Sequence, residues 1–93
     1  KAMKLRGEGK ATYKQIASLW HKQRGRCALT GDQLDRSAQL DHKTPLARGG
    51  KGGVENLQWL TPTANLAKRD LTDAEFIAMC LRVVTTQESL DLI

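Results

Sequence analysis

The stretch that most constrains this chain runs from Gln39 to Arg69. Two short runs, Gln39–Lys43 and Leu57–Leu60, are bounded by turn residues and show the apolar–polar alternation of strands, partial in the first. Between them lies Arg48-Gly49-Gly50-Lys51-Gly52-Gly53, which reads as a flexible loop with four glycines and two positive charges. Pro45 ends the first run, and the second passes directly into Thr61-Pro62. That dipeptide offers a hydroxyl cap followed by proline at the first helical position, so a short helix over about Pro62–Arg69 is expected. The segment therefore reads as strand, loop, strand, helix, with the two strands paired antiparallel.

The flanks are helical. Thr12-Tyr13-Lys14-Gln15 is a capping-box pattern, and Ile16, Leu19, Trp20 and Gln23 follow at helical spacing. This predicts a helix over about Tyr13–Arg24, stopped by Gly25, with Trp20 as a core anchor. Cys27 to Asp32 is a short apolar run followed by turn residues, consistent with a strand end and a tight turn. Thr72-Asp73-Ala74-Glu75 is a second capping box. Phe76, Met79, Cys80 and Val83 recur behind it at helical spacing, and Val84 extends the stripe. A helix over about Asp73–Thr86 is expected to cover the sheet, with Cys80 as a small buried hydrophobe. The fold class is α+β, a ββα core flanked by an N-terminal and a C-terminal helix. Residues 1–11, basic and punctuated by glycine, read as a flexible arm, and 12–93 as the domain.

A chain of 93 residues makes one small domain with a modest core. It has no apolar stretch near the roughly 20 residues that span a bilayer. Its basic first residues do not form a signal peptide. Cys27 and Cys80 stand too far apart to announce a disulfide framework or a zinc knuckle. A reducing cytosol is the expected compartment. A start at Lys1 suits a piece of a longer chain or of a larger assembly. Charge is uneven. Residues 1–69 carry fourteen of the fifteen Lys and Arg against five acids, whereas residues 70–93 carry one against five. A basic face of this kind suits a polyanion.

The chemistry-bearing residues sit in the constrained stretch. Asp41-His42 sets a carboxylate beside an imidazole on one strand, where neighbours face opposite sides unless the strand twists or ends there. Asn56 precedes the second strand, and Asn65 and Lys68 share one face of the short helix. Phosphodiester hydrolysis needs an activated nucleophile, charge neutralisation at phosphorus and a stabilised leaving oxygen. A histidine can deprotonate water near neutral pH. Asp41 and the Asn65 carbonyl are hard oxygen ligands suited to Mg²⁺, and a lysine adds positive charge near a developing anion. Singly these residues are weak signals: a lone histidine is more often structural, and an asparagine before a strand is usually a turn residue.

Together, Leu40-Asp41-His42-Lys43-x-Pro45-Leu46, Arg48-Gly49-Gly50, Glu55-Asn56-Leu57-Gln58-Trp59-Leu60 and Asn65-x-x-Lys68 resemble the HNH endonuclease motif, over about 39–70. Gln23-x-Gly25-x-Cys27-Ala28-Leu29-Thr30-Gly31 also looks like the segment entering many HNH domains. The resemblance implies a ββα-metal nuclease that hydrolyses DNA with one divalent cation, Mg²⁺ or Mn²⁺, for which Zn²⁺ or Ni²⁺ can substitute in crystals. It implies His42 as general base, Asp41 and Asn65 as metal ligands, Asn56 as a loop-pinning hydrogen bonder, and Lys68 as a basic catalytic group. Lys43, Arg48, Lys51, Lys68 and Arg69 cluster around this segment and are expected to face the DNA backbone.

The chain departs from many HNH domains in lacking two CxxC pairs. Thr30 stands where a second cysteine would follow Cys27, and no CxxC follows Trp59, so no structural zinc is expected. The alternative to a nuclease is a non-cleaving DNA-binding module of the same fold. A water-activating histidine beside intact metal ligands is superfluous in a pure binder. A small structural zinc domain is disfavoured by the two distant cysteines.

Overall fold

The computed structural model describes residues 10–93. Most of the expected arm, residues 1–9, lies outside them. At its end, the Ala11 amide donates to the Gly52 carbonyl at 3.1 Å. The first helix, α1, spans Tyr13–Lys22. Its capping box is closed at both ends: the Thr12 hydroxyl accepts from the Gln15 amide, and the Gln15 side chain accepts from the Thr12 amide. The helix stops just short of Arg24 because Arg24 and Gly25 both take positive φ.

Strands β1 (Gln39–His42) and β2 (Leu57–Leu60) form one antiparallel pair in which Asp41 lies opposite Gln58 and His42 opposite Leu57. Helix α2 (Pro62–Lys68) follows β2 without a linker, its first turn capped by the Thr61 hydroxyl. Helix α3 runs over Asp73–Ser89 behind its own closed capping box at Thr72. The architecture is α+β, as expected, with a ββα unit at its centre.

Alternation along the hairpin sorts the core. Gln39, Asp41, Gln58 and Leu60 face α2. Trp59 faces α1, where its ring meets Trp20 edge-on with centroids 5.5 Å apart and its indole N–H donates to the Ile16 carbonyl. The expected strand end and turn at Cys27–Asp32 is a single bridge between Arg26 and Gln33, closed by a turn with Gly31 at φ +80°. Cys27 packs there with Leu34, Leu60 and Ala64. Burial pushes the Cys27 thiol up, but hydrogen bonds from the Thr30 side chain and from nearby backbone amides outweigh it and hold the thiol below its ordinary value.

The outer edge of β2 is closed by a side chain. Gln23 accepts from the Trp59 amide at 2.8 Å and donates to the Trp59 carbonyl at 3.0 Å, so one amide group stands in for a neighbouring strand. Its side-chain nitrogen also donates to the Arg26 carbonyl, tying the end of α1 to the turn.

One expectation fails. Helix α3 extends to Ser89 and does not cover the sheet: none of its residues is buried, and Cys80 is exposed. Phe76 is half-buried, but Met79, Val83 and Val84 are 36%, 53% and 44% exposed, so the apolar stripe runs mostly over open surface. The reason is where the helix is tethered. Its bonds to the body gather at the N-terminus, where the Asp73 amide donates to the Lys43 carbonyl and Arg48 grips Glu75. No helix among the described residues is long and apolar enough to cross a membrane.

Replacing Gln23 by Met keeps its length and removes both bonds to Trp59. The stability loss should be about 1–3 kcal/mol, the penalty for stranding the part-buried Trp59 amide, since the Trp59 carbonyl keeps the Ala28 amide at 3.1 Å. Urea unfolding of wild type and variant measures it, and a loss under half a kilocalorie would show the edge to be closed by something else.

Candidate active site

The end of β1 is held by groups from three other elements. Lys68, the last residue of α2, is fully buried, and its ammonium donates to Asp41 Oδ2 at 2.9 Å and to the His42 carbonyl at 2.8 Å. Asp73 Oδ1, at the start of α3, lies 3.5 Å from the same nitrogen. Gln58, buried on β2, donates to Asp41 Oδ2 at 3.0 Å and to Asp73 Oδ1 at 2.8 Å. The Asp41 side chain is only 10% exposed. Burial on this scale is tolerable because no buried side-chain nitrogen or oxygen among the described residues lacks a partner.

Asn65 sits one turn before Lys68 on the same helix face, and its amide nitrogen donates to Gln39 Oε1 at 2.6 Å. Gln39 and Asp41 share a face of β1, so Asn65 and Lys68 overlie neighbouring positions of one strand. Both Asp41 Oδ1 and the Asn65 side-chain oxygen are free of hydrogen bonds among the described residues. By donor chemistry these are hard oxygens of the kind Mg²⁺ or Mn²⁺ takes, with the rest of a shell left to water or substrate. No group of three or more His, Cys, Asp or Glu gathers as a metal cluster among the described residues.

Asn56 organises the loop beyond β1. Its side chain accepts from the Thr44 amide at 2.9 Å and donates to the carbonyls of Thr44 at 3.0 Å and Lys51 at 2.8 Å. The glycine segment expected as a flexible loop, residues 48–53, runs between two 3-10 turns, Leu46–Arg48 and Val54–Asn56, and is tied to this amide through the Lys51 carbonyl. Gly50 is packed into it so closely that a Cβ would clash with the Thr44 carbonyl.

His42 is half-buried at the last position of β1. Its imidazole makes no hydrogen bond to the described residues, and strand alternation sets it on the opposite face from Asp41. The chain brings the two residues to one strand end without joining their side chains; the Lys68 ammonium links the Asp41 carboxylate to the His42 backbone instead. His21 is exposed on α1, away from this group.

The expected basic surface needs correction at one position, Lys68, and holds a second, Arg48, exposed but paired. Lys68 has no exposure with which to meet a DNA phosphate or a reacting group, because its charge is spent internally. Arg48 forms a two-pronged pair with Glu75, both bonds 2.8 Å, and also reaches the Asp70 carbonyl. Lys43, Lys51 and Arg69 remain exposed. Gln58 and Asp73 are not among the site residues expected from the sequence. The one signal for Gln58 is its register opposite Asp41, while Asp73 resembles any acidic residue in a first helical turn.

No protein-family model matches this chain, and no curated protein matches it in sequence.

Two outcomes follow from the loop and its latch. Gly50→Ala should destabilise the protein by at least the 1–3 kcal/mol typical of overpacking, read from denaturant unfolding. Wild-type stability there would mean that Thr44 moves aside freely. For the latch, the Arg48 guanidinium and then the Thr72 amide hold the Glu75 carboxyl down at about 2, against an ordinary 4.5. A depressed carboxyl stabilises the fold above its unfolded value and loses that effect as pH falls through the folded one. The gap in melting temperature between wild type and Glu75→Gln should therefore be full above about pH 4.5 and close toward pH 2. A gap that stays constant over that range would contradict the pairing.

Proposed function

We propose that this chain is a metal-dependent DNA endonuclease of the HNH type, hydrolysing phosphodiester bonds with water activated by His42. The observation that carries the reading is the assembly of the whole motif on one ββα unit. The Asp41 carboxylate and the Asn65 amide lie on the facing surfaces of β1 and α2, and His42 ends the same strand.

The division of labour follows from the chemistry of each group. Asp41 and Asn65 would hold a divalent cation, which supplies charge neutralisation at the phosphate and at the leaving oxygen when bound. His42 sits where β1 leaves the sheet, so its imidazole can receive the proton of a water approaching phosphorus from the side away from Asp41. The backbone around it is fixed: Lys68 holds the His42 carbonyl, and Asn56 accepts from the Lys43 amide through its own carbonyl. A base held in place loses less to misorientation than one on a mobile loop. Lys43, Lys51 and Arg69 supply exposed positive charge near the strand end for the DNA backbone.

A non-cleaving DNA-binding module is the second reading, favoured only by the internal use of Lys68 and Arg48. Plasmid cleavage with Mg²⁺ or Mn²⁺ separates the two. Wild type should nick or cut, His42→Ala should keep its fold and DNA affinity yet lose about 10²–10⁴-fold in rate, and His21→Ala should cleave normally. Near-wild-type cleavage by a folded His42→Ala protein would end the general-base assignment, and inert wild type would favour the binding module.

A further inference from the structure

We infer that Gln58, Lys68 and Asp73 are positioning residues that present Asp41 to a divalent cation through one oxygen only, with Asp73 giving the group of three ionic side chains a net negative formal charge. The inference rests on the nuclease reading for the cation and goes beyond the motif, since Asp73 lies outside it and Gln58 has no assigned role within it.

Two donors converge on one atom. Lys68 Nζ and Gln58 Nε2 both bond Asp41 Oδ2, at 2.9 and 3.0 Å. They approach from different elements, α2 and β2, so the carboxylate cannot rotate without losing one of them. Its other oxygen, Oδ1, makes no hydrogen bond among the described residues. The carboxylate is thus oriented as a one-oxygen ligand before any cation arrives.

A buried ammonium against a single carboxylate would cancel the charge that a cation needs. Asp73 prevents this. It shares Lys68 from 3.5 Å, so two carboxylates face one ammonium and the formal charge of the group is −1. Gln58 is the link, because its amide nitrogen donates to both acids and keeps them from repelling each other apart. Asp73 is the most exposed of the three ionic groups, at 25%, and belongs to α3, whose amide also fixes the Lys43 carbonyl. Helix α3 therefore contributes through its first residue to a site otherwise formed by the ββα unit.

The test is binding of Mn²⁺ alone, followed by electron paramagnetic resonance without DNA, beside thermal unfolding and plasmid cleavage. Asp41→Asn identifies the site by losing the Mn²⁺ signal. Gln58→Met keeps the side-chain length and removes the shared donor; Asp73→Asn keeps the shape and removes the charge. Each should stay folded and raise the Mn²⁺ dissociation constant about 10-fold or more, the usual effect of removing a group that orients a ligand. Asp73→Glu should recover most of the affinity. A merely structural role would lower the melting temperature and leave the Mn²⁺ affinity of the folded protein unchanged. That result in Gln58→Met and Asp73→Asn, or failure of wild type to bind Mn²⁺ through Asp41, overturns the inference. Asp73→Asn, at the exposed end of the group, carries the test if Gln58→Met does not fold. Cleavage distinguishes the two levels. Mn²⁺ binding that weakens in the variants of a protein that cuts nothing sinks the nuclease reading alone. Cleavage with unchanged Mn²⁺ affinity sinks the positioning role alone.

Discussion

An ammonium group with no exposure to water obliges its surroundings to be exact, and Lys68 is such a group. Stripping a charge of its hydration costs several kcal/mol, which only close and well-aimed acceptors offset. The acceptors here come from two elements: the carboxylate of Asp41 and the carbonyl of His42 on β1, and Asp73 on α3, while Lys68 itself closes α2. Removing any one of them would leave a buried charge short of partners, an imbalance worth about 3–5 kcal/mol in other proteins. The position of α2 over the hairpin and the tether of α3 to the end of β1 are consequences of satisfying that one nitrogen.

The same requirement explains why a molecule with so small an apolar core holds a defined strand end. Its buried hydrophobic cluster is Cys27, Leu34, Leu60 and Ala64, with Trp20, Leu29, Ala38 and Trp59 packed around it. That cluster lies toward the α1 side and the Cys27 turn. At the opposite end of the hairpin, polar bonds take over. Asn56 satisfies both backbone groups of Thr44, its carbonyl takes the Lys43 amide, and the Asp73 amide takes the Lys43 carbonyl. Hydrogen bonds of this kind contribute modestly to stability but are directional, so they fix orientation where apolar contacts would allow sliding.

How much of this was legible depends on whether the signal was local. Capping boxes at Thr12 and Thr72 and the Thr61-Pro62 start are local, and each opens a helix at the expected residue. The hairpin was legible from alternation over Leu57–Leu60 and partial alternation over Gln39–Lys43. The fate of the α3 stripe was not, because helical periodicity reports a face without saying what covers it, and among the described residues this helix is tethered at its start. Lys68 was misread for a general reason: lysine is almost never fully buried unless paired, and its partners are 27 residues back along the chain at Asp41 and just ahead at Asp73. Gln58 sits between apolar neighbours and is unremarkable until the register sets it opposite Asp41.

The uneven charge along the chain also takes on a different meaning. Fourteen of the fifteen Lys and Arg precede residue 70, and half of the ten acids follow it, which suggests a basic body with a separate acidic end. In the folded chain the two halves are partly each other's counter-ions: Asp73 shares Lys68, and Glu75 pairs with Arg48. Two cations that the sequence offers to a polyanion are thereby withdrawn, one by burial and one by pairing. The withdrawal is unequal. Lys68 cannot be reached without unfolding the strand end, whereas Arg48 and Glu75 are both near half-exposed, and a phosphate could compete with Glu75 for the guanidinium. Any polyanion that docks here meets Lys43, Lys51 and Arg69 first, and the acidic start of α3 serves to set the charge of the interior rather than to repel the ligand outside.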